Sequence, residues 1–209
     1  MKEKILKIIN GPIQIEPIYI LESDYRKLTT EKERDEFFAC IKTIAIEGTK
    51  QEKFACLTLI KMIDRAKESE DIIKKNVDMI NMEDDELLIS PLLALCAVIS
   101  KDWAISFIKK VLFKFKPINK GYSYLYDIAI RSIVSTPFWE EAIEDINYAL
   151  INFDDDYLID FFAYFKLKKE RSDYKKLLLL IESSVINKIN KFTFLIDERY
   201  RNNYLGLKY

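Results

Sequence analysis

Tyr124-Leu125-Tyr126-Asp127 is answered 33 residues later by Tyr157-Leu158-Ile159-Asp160, and each stretch follows a helix-length segment led by a tryptophan, Trp103 or Trp139. A period of this length is the mark that stacked helix pairs leave in a sequence. A single pair cannot bury its apolar face alone, so the recurrence predicts a row of helical hairpins packed side by side.

Capping signals delimit the hairpins outward from this repeat. Thr30 with Glu33 and Thr49 with Glu52 have capping-box spacing, in which side chain and backbone donors satisfy one another at a helix start. A first hairpin is expected over 31–47 and 50–65, closed by Gly48. Phe37, Phe38, Ile41, Ile44 and Ala45 line one face of its first helix, and Phe54, Leu57, Ile60 and Ile63 line its second. The next pair covers 69–80 and 85–99, where Ser90-Pro91 either kinks the second helix or restarts it. Pairs over 101–115 with 122–135 and 137–151 with 154–168 follow, with Thr136-Pro137 and Asp154 as helix starts. An apolar helix over 172–187 and a last one from Phe192 to Tyr204, ending at Gly206, cap the row. Ahead of the hairpins stand a short helix over 2–9 and an extended piece, Ile13-Gln14-Ile15-Glu16-Pro17-Ile18-Tyr19, in which alternation and two prolines oppose helix. The expected fold is all-α: a short α-solenoid of about nine to eleven helices. It forms one domain over 1–209, with an N-terminal helix and arm over 1–29, hairpin repeats over 30–187 and a capping segment over 188–209.

On period, helix lengths and the pair Asp127 and Arg131, residues 30–187 resemble HEAT-like repeats, whose second helix carries an Asp and an Arg. The following repeat keeps Asp160 but has Tyr164 where the Arg would fall. The resemblance implies a curved surface that binds partners.

Composition narrows the chemistry. Apolar residues make up 49% and charged residues 32%, with 4 Gly and 5 Pro, a balance of short-looped helical proteins rather than disordered chains. There is no histidine, which removes Ser-His-Asp and Cys-His nucleophile pairs and every His-bearing zinc site. Three cysteines, Cys40, Cys56 and Cys96, cannot complete a four-Cys zinc site, and each sits in an apolar run as a buried thiol would in a reducing cytosol. No glycine-rich phosphate cradle occurs. The expectation is a cytoplasmic, non-enzymatic protein without cofactor or metal. Its net charge of -1 draws it neither to nucleic acid nor to an anionic membrane, and no apolar run is long enough for a signal peptide or a membrane span.

Between Arg131 and Lys166 there is no basic residue, yet Glu140, Glu141, Glu144, Asp145, Asp154, Asp155, Asp156 and Asp160 supply eight acids. First-turn placement accounts for Glu140, Glu141, Asp154, Asp155 and Asp156, since a negative charge there gains roughly 0.3–1 kcal/mol from the helix dipole. Glu144 and Asp145 each lie four residues after another acid, a spacing that costs roughly 0.2–0.5 kcal/mol. Tolerance of that repulsion points to an acidic face for a basic protein partner, built from Glu140, Glu141, Glu144, Asp145, Asp155, Asp156 and Asp160. A small chain with such a face looks like the immunity proteins with which bacteria block basic nuclease toxins.

Two alternatives stand beside this reading. Asp154-Asp155-Asp156-Tyr157-Leu158-Ile159-Asp160 is similar to the aspartate-rich helix of isoprenyl diphosphate synthases, which would imply Mg²⁺ and a diphosphate; its spacing differs, with three residues instead of two before the last Asp. Lys109, Lys110, Lys114, Lys116 and Lys120, with Phe113, Phe115, Tyr122 and Tyr124 among them, have the elements of a nucleic-acid groove, although Phe113 and Tyr124 also fall where core is expected.

Overall fold

The computed structural model describes residues 1–11, 16–118 and 121–204, which form twelve α-helices and no strand. The chain divides into two compact units, Met1–Phe107 and Ile108–Tyr209. The first contains α1 (Lys2–Ile9), α2 (Glu16–Lys27), α3 (Glu31–Glu47), α4 (Lys50–Met62), α5 (Glu70–Met79) and α6 (Glu86–Ile99). The boundary falls within α7 (Asp102–Phe115). The second unit continues with α8 (Tyr124–Val134), α9 (Ile143–Asn152), α10 (Asp155–Lys168), α11 (Arg171–Leu180) and α12 (Ser183–Tyr204), and a 3₁₀ turn, Trp139–Ala142, leads into α9.

Both predicted capping boxes are present. The hydroxyls of Thr30 and Thr49 accept the backbone N–H of Glu33 and Glu52, whose carboxylates accept the threonines' own N–H in return. The two-residue link between α3 and α4 forces a tight return at Gly48. A Cβ at Gly48 would stand 2.7 Å from the Ile44 carbonyl oxygen and 2.9 Å from Glu52 Cβ, so only glycine fits without a shift. Phe37, Phe38, Ile41, Ile44 and Ala45 are buried as the 3.6-residue period predicts, against Leu57, Leu59 and Ile60 of α4. α3 also packs on α5, and α4 packs on both α2 and α6. In the second unit α10 packs on α8 and α12, around a core rich in aromatic rings from Tyr126, Phe153, Phe161, Phe162 and Phe165.

Twelve helices exceed the nine to eleven expected because α2 was not foreseen, and a second correction moves a boundary without changing the count. Residues 16–19 of the expected extended piece belong to α2; the remainder, 13–15, lies outside the described residues. Pro17 occupies the first turn of α2, where the missing N–H has no intrahelical partner to lose. The helix expected over 172–187 is broken at Ile181-Glu182, and its second half joins the last helix as α12. Asn147 on α9 holds the break open. Its amide donates to the Leu180 carbonyl at 3.1 Å and its oxygen accepts the Glu182 N–H at 3.2 Å, satisfying backbone groups that the break would otherwise strand. At Ser90-Pro91 the helix neither restarts nor ends, since α6 runs through Pro91.

Most polar contacts that join distant segments span 29 to 36 residues. Within the first unit Asn76 reaches the Ala45 carbonyl across 31 residues, Lys101 reaches Glu70 across 31, and Arg65 reaches Glu31 across 34. Within the second, Lys116 meets Asp145 across 29, Tyr148 the Pro117 carbonyl across 31 and Lys169 the Thr136 carbonyl across 33.

Two outcomes follow for the α3–α4 turn. Gly48→Ala should destabilise by roughly 1–3 kcal/mol, as overpacking does, and Thr49→Ala by about 1 kcal/mol for the lost cap; urea unfolding that showed no change for either would contradict the turn geometry. Glu52 has its pKa lowered, chiefly by the Asn10 side-chain amide at 2.8 Å and then by the Thr49 N–H. A lowered folded pKa contributes stability that is present above the ordinary glutamate value of 4.5 and lost as pH falls through the folded value. Glu52→Gln should therefore depress the melting temperature at neutral pH and lose most of that effect in acid.

Candidate functional site

Asp127 and Arg131 stand one turn apart on α8, which places them on the same face. Arg131 Nε donates to both oxygens of Asp127 at 2.9 and 3.1 Å, and its guanidinium reaches forward to Asp160 on α10 at 2.8 Å. Tyr164, 33 residues after Arg131, lies under the same guanidinium, 5.3 Å from the ring centroid, and its hydroxyl bonds Ser135 at 2.6 Å. Tyr157 presents its ring from another side at 5.9 Å. Burial works against the Arg131 charge, but Asp127 and Asp160 outweigh it and hold its pKa above the ordinary value. Asp127 is only 6% exposed, so its charge depends on Arg131 and on the Tyr122 hydroxyl that donates to it at 3.1 Å. Burial, followed by the neighbouring Asp127 carboxylate, pushes the Tyr122 hydroxyl up to about 12. The enclosed Tyr157 hydroxyl makes no bond of hydrogen-bonding geometry, although the Asp127 charge adds to burial in raising its pKa. This centre joins α8 and α10.

The acidic block is distributed around α9 and α10, and six of its seven singled-out members face cations. Glu140 pairs with Lys176, Glu141 with Lys109, Asp145 with Lys116, and Asp155 with Lys188. Asp145 also accepts the Tyr126 hydroxyl at 2.9 Å, and Asp160 takes Arg131. Asp154 caps α10 by accepting the Tyr157 N–H at 2.7 Å, as its position predicts. Of these seven acids, Glu144 alone has no ion pair among the described residues, while Asp156, 86% exposed, lies 3.9 Å from Arg199. The lysines that flank the block in sequence are thus its partners in space, and the eight acids do not form one unpaired ridge.

Asp154 caps α10 and Asp155 pairs with Lys188, while Asp156 and Asp160 share Arg199, and among the described residues no group of three or more metal-ligating side chains converges. Two expected core residues are instead on the surface: Phe113 is 89% exposed and Tyr124 is 61% exposed. The Tyr122 ring, 60% exposed, lies 5.5 Å from Phe153 and 6.5 Å from Tyr157. Of the leucine run 177–180, Leu177 alone is buried. Cys56 and Cys96 are buried free thiols, pushed up to about 12 chiefly by burial, while Cys40 is half-buried.

Beside the acidic block lies a groove of about 200 Å³ where Asp156 and Ile159 of α10 face Leu195, Arg199 and Asn202 of α12. Sequence reasoning named Asp156 and passed over the α12 residues, because nothing in the order of residues signals that α12 lies against α10. Among the described residues no helix is long and apolar enough to cross a membrane. Compared with known proteins, the chain matches no family model, no curated protein and no solved structure.

Removing Arg131 should leave Asp127 buried and unpaired. Arg131→Ala is expected to cost roughly 3–5 kcal/mol, the range for breaking one side of a buried pair, and Arg131→Lys to recover little, because one ammonium cannot span Asp127 and Asp160 as the guanidinium fork does. Denaturant midpoints of the two variants within 0.5 kcal/mol of the native chain, by roughly the scatter of surface substitutions, would contradict the centre's structural role.

Proposed function

We propose that this chain is a non-enzymatic, cytoplasmic helical-repeat module of HEAT-like, solenoid type that binds another protein. The observation that carries the repeat reading is the recurring offset of its long-range polar contacts, 29 to 36 residues, in both units. Contacts recurring near one offset suit stacked hairpins, and alternate helices pack accordingly: α2 on α4 on α6 in the first unit, α8 on α10 on α12 in the second. Helical-repeat arrays present extended surfaces, and the internally satisfied polar centre around Arg131 favours scaffolding over catalysis. The partner-facing surface comprises the exposed parts of Glu140, Glu141, Glu144, Asp145, Asp155, Asp156 and Asp160, with Glu144 and Asp156 the least engaged. In its more specific form the partner is a basic toxin and the chain acts as its immunity protein; that form rests on the acidic block alone.

A second reading, nucleic-acid binding, gains from the exposure of Phe113 and Tyr124 and loses from the pairing of Lys109 and Lys116 with acids. The diphosphate alternative has less support, since among the described residues no group of three or more metal-ligating side chains converges.

Affinity capture from cell extract with the native chain and with Glu144→Lys/Asp156→Lys tests the proposal. A protein bound in stoichiometric amount by the first and lost with the second, at equal helicity, supports it. No stoichiometric protein at any ionic strength counts against it, and capture of nucleic acid with steep salt dependence would favour the second reading.

A further inference from the structure

The groove between α10 and α12 deepens this reading by indicating what kind of group a partner inserts. Its polar wall is rich in acceptors, from the carboxylates of Asp156 and Glu198 and the carboxamide oxygens of Asn202 and Asn203. Asp156 is 86% exposed, and Glu198, Asn202 and Asn203 line the same concavity without a hydrogen bond or ion pair among the described residues. Its remaining wall is apolar, from Ile159, which is buried in α10, and Leu195 of α12. A side chain with a hydrocarbon stem and a multiply donating cationic end matches both walls.

Arg199 lies in this groove, and its contacts are loose. Its guanidinium stands 3.9 Å from Asp156 and 3.5 Å from Asp160, whereas Arg131 meets Asp127 and Asp160 at 2.9 and 2.8 Å. Asp160 is already engaged by Arg131, so Arg199 adds little there that Asp160 lacks. Asp156 is left with a cation beyond hydrogen-bonding distance and with most of its surface in water. A pair held this way is weakened by solvent and can be exchanged.

We propose that the α10–α12 groove receives an arginine side chain of a protein partner, and that Arg199 occupies it as an internal stand-in which the incoming guanidinium displaces. The incoming stem lies on Ile159 and Leu195, and its planar fork binds Asp156 bidentately, with the carboxamide oxygens of Asn202 and Asn203 and the Glu198 carboxylate as further acceptors. A guanidinium, with five donors spread in a plane, uses several acceptors at once; an ammonium concentrates its charge at one point and uses fewer. Preference for arginine over lysine is therefore part of the proposal, which rests on the protein-binding reading.

Nuclear magnetic resonance titration of the full chain tests it, with blocked acetyl-Gly-Arg-Gly-amide, its lysine counterpart and its citrulline counterpart at low ionic strength. The arginine peptide should shift the side-chain amide signals of Asn202 and Asn203 saturably, the citrulline peptide should not, and the lysine peptide should bind several-fold more weakly. Arg199→Ala should tighten arginine-peptide binding several-fold by removing the competitor, and Asp156→Asn should weaken it at least tenfold. Equal response to arginine and citrulline, equal binding of lysine, or no saturable shift even in Arg199→Ala would overturn the proposal. If the Glu144→Lys/Asp156→Lys chain loses a protein partner while the arginine peptide fails to bind, the groove assignment falls and the protein-binding reading stands. If the peptide binds as described and no protein is captured, the groove's chemistry stands and the broader reading falls.

Discussion

Arg131 is the contact on which the second unit turns. One guanidinium closes the charge of Asp127 within its own helix and that of Asp160 on the next second helix, while Tyr157 and Tyr164 pack its faces. Burying Asp127 is unfavourable unless something supplies a counter-charge with the right donors. Arg131 supplies it only when α8 and α10 lie in one register, so the pair fixes how the helices slide past one another as well as holding them together. The neighbouring lysine–acid pairs are more exposed and worth less individually. Their common offset means that they all favour that same register.

The charge segregation along the chain has a simple spatial meaning. A block of acids with no base inside it would repel itself if it folded only upon itself. Its helices, α9 and α10, instead draw cations from segments on either side in sequence: Lys109 and Lys116 before them, Lys176, Lys188 and Arg199 after. Separation along the chain becomes alternation across it. The same logic suits an array in which every hairpin meets only its sequence neighbours.

Helix identity was legible in the sequence wherever local rules act. Capping boxes at Thr30 and Thr49, the Asp154 cap and the apolar face of α3 depend on residues three or four apart, and each is present. What local rules could not supply was set by distant partners. Asn147 stabilises the break at Ile181-Glu182 from 33 to 35 residues away, so an uninterrupted leucine run gave no hint of it. The pairing of the acids was hidden for the same reason: dipole and i,i+4 considerations rank each acid within its own helix and ignore the lysine one repeat away. Tyr124 and Tyr157 matched in sequence yet differ in burial, 61% against 7% exposed. Asp156 was found, but its α12 neighbours were not.

The two tryptophans fall one to each compact unit. Trp103, in the first, is partly open and donates its indole N–H to Glu70 at 3.4 Å; Trp139, in the second, is enclosed with its ring edge-on to Phe165 at 5.3 Å. A polar, hydrogen-bonded indole and a fully enclosed one emit at different wavelengths. The chain therefore carries a native two-colour fluorescent reporter, in which each indole registers the unfolding of its own half without any label.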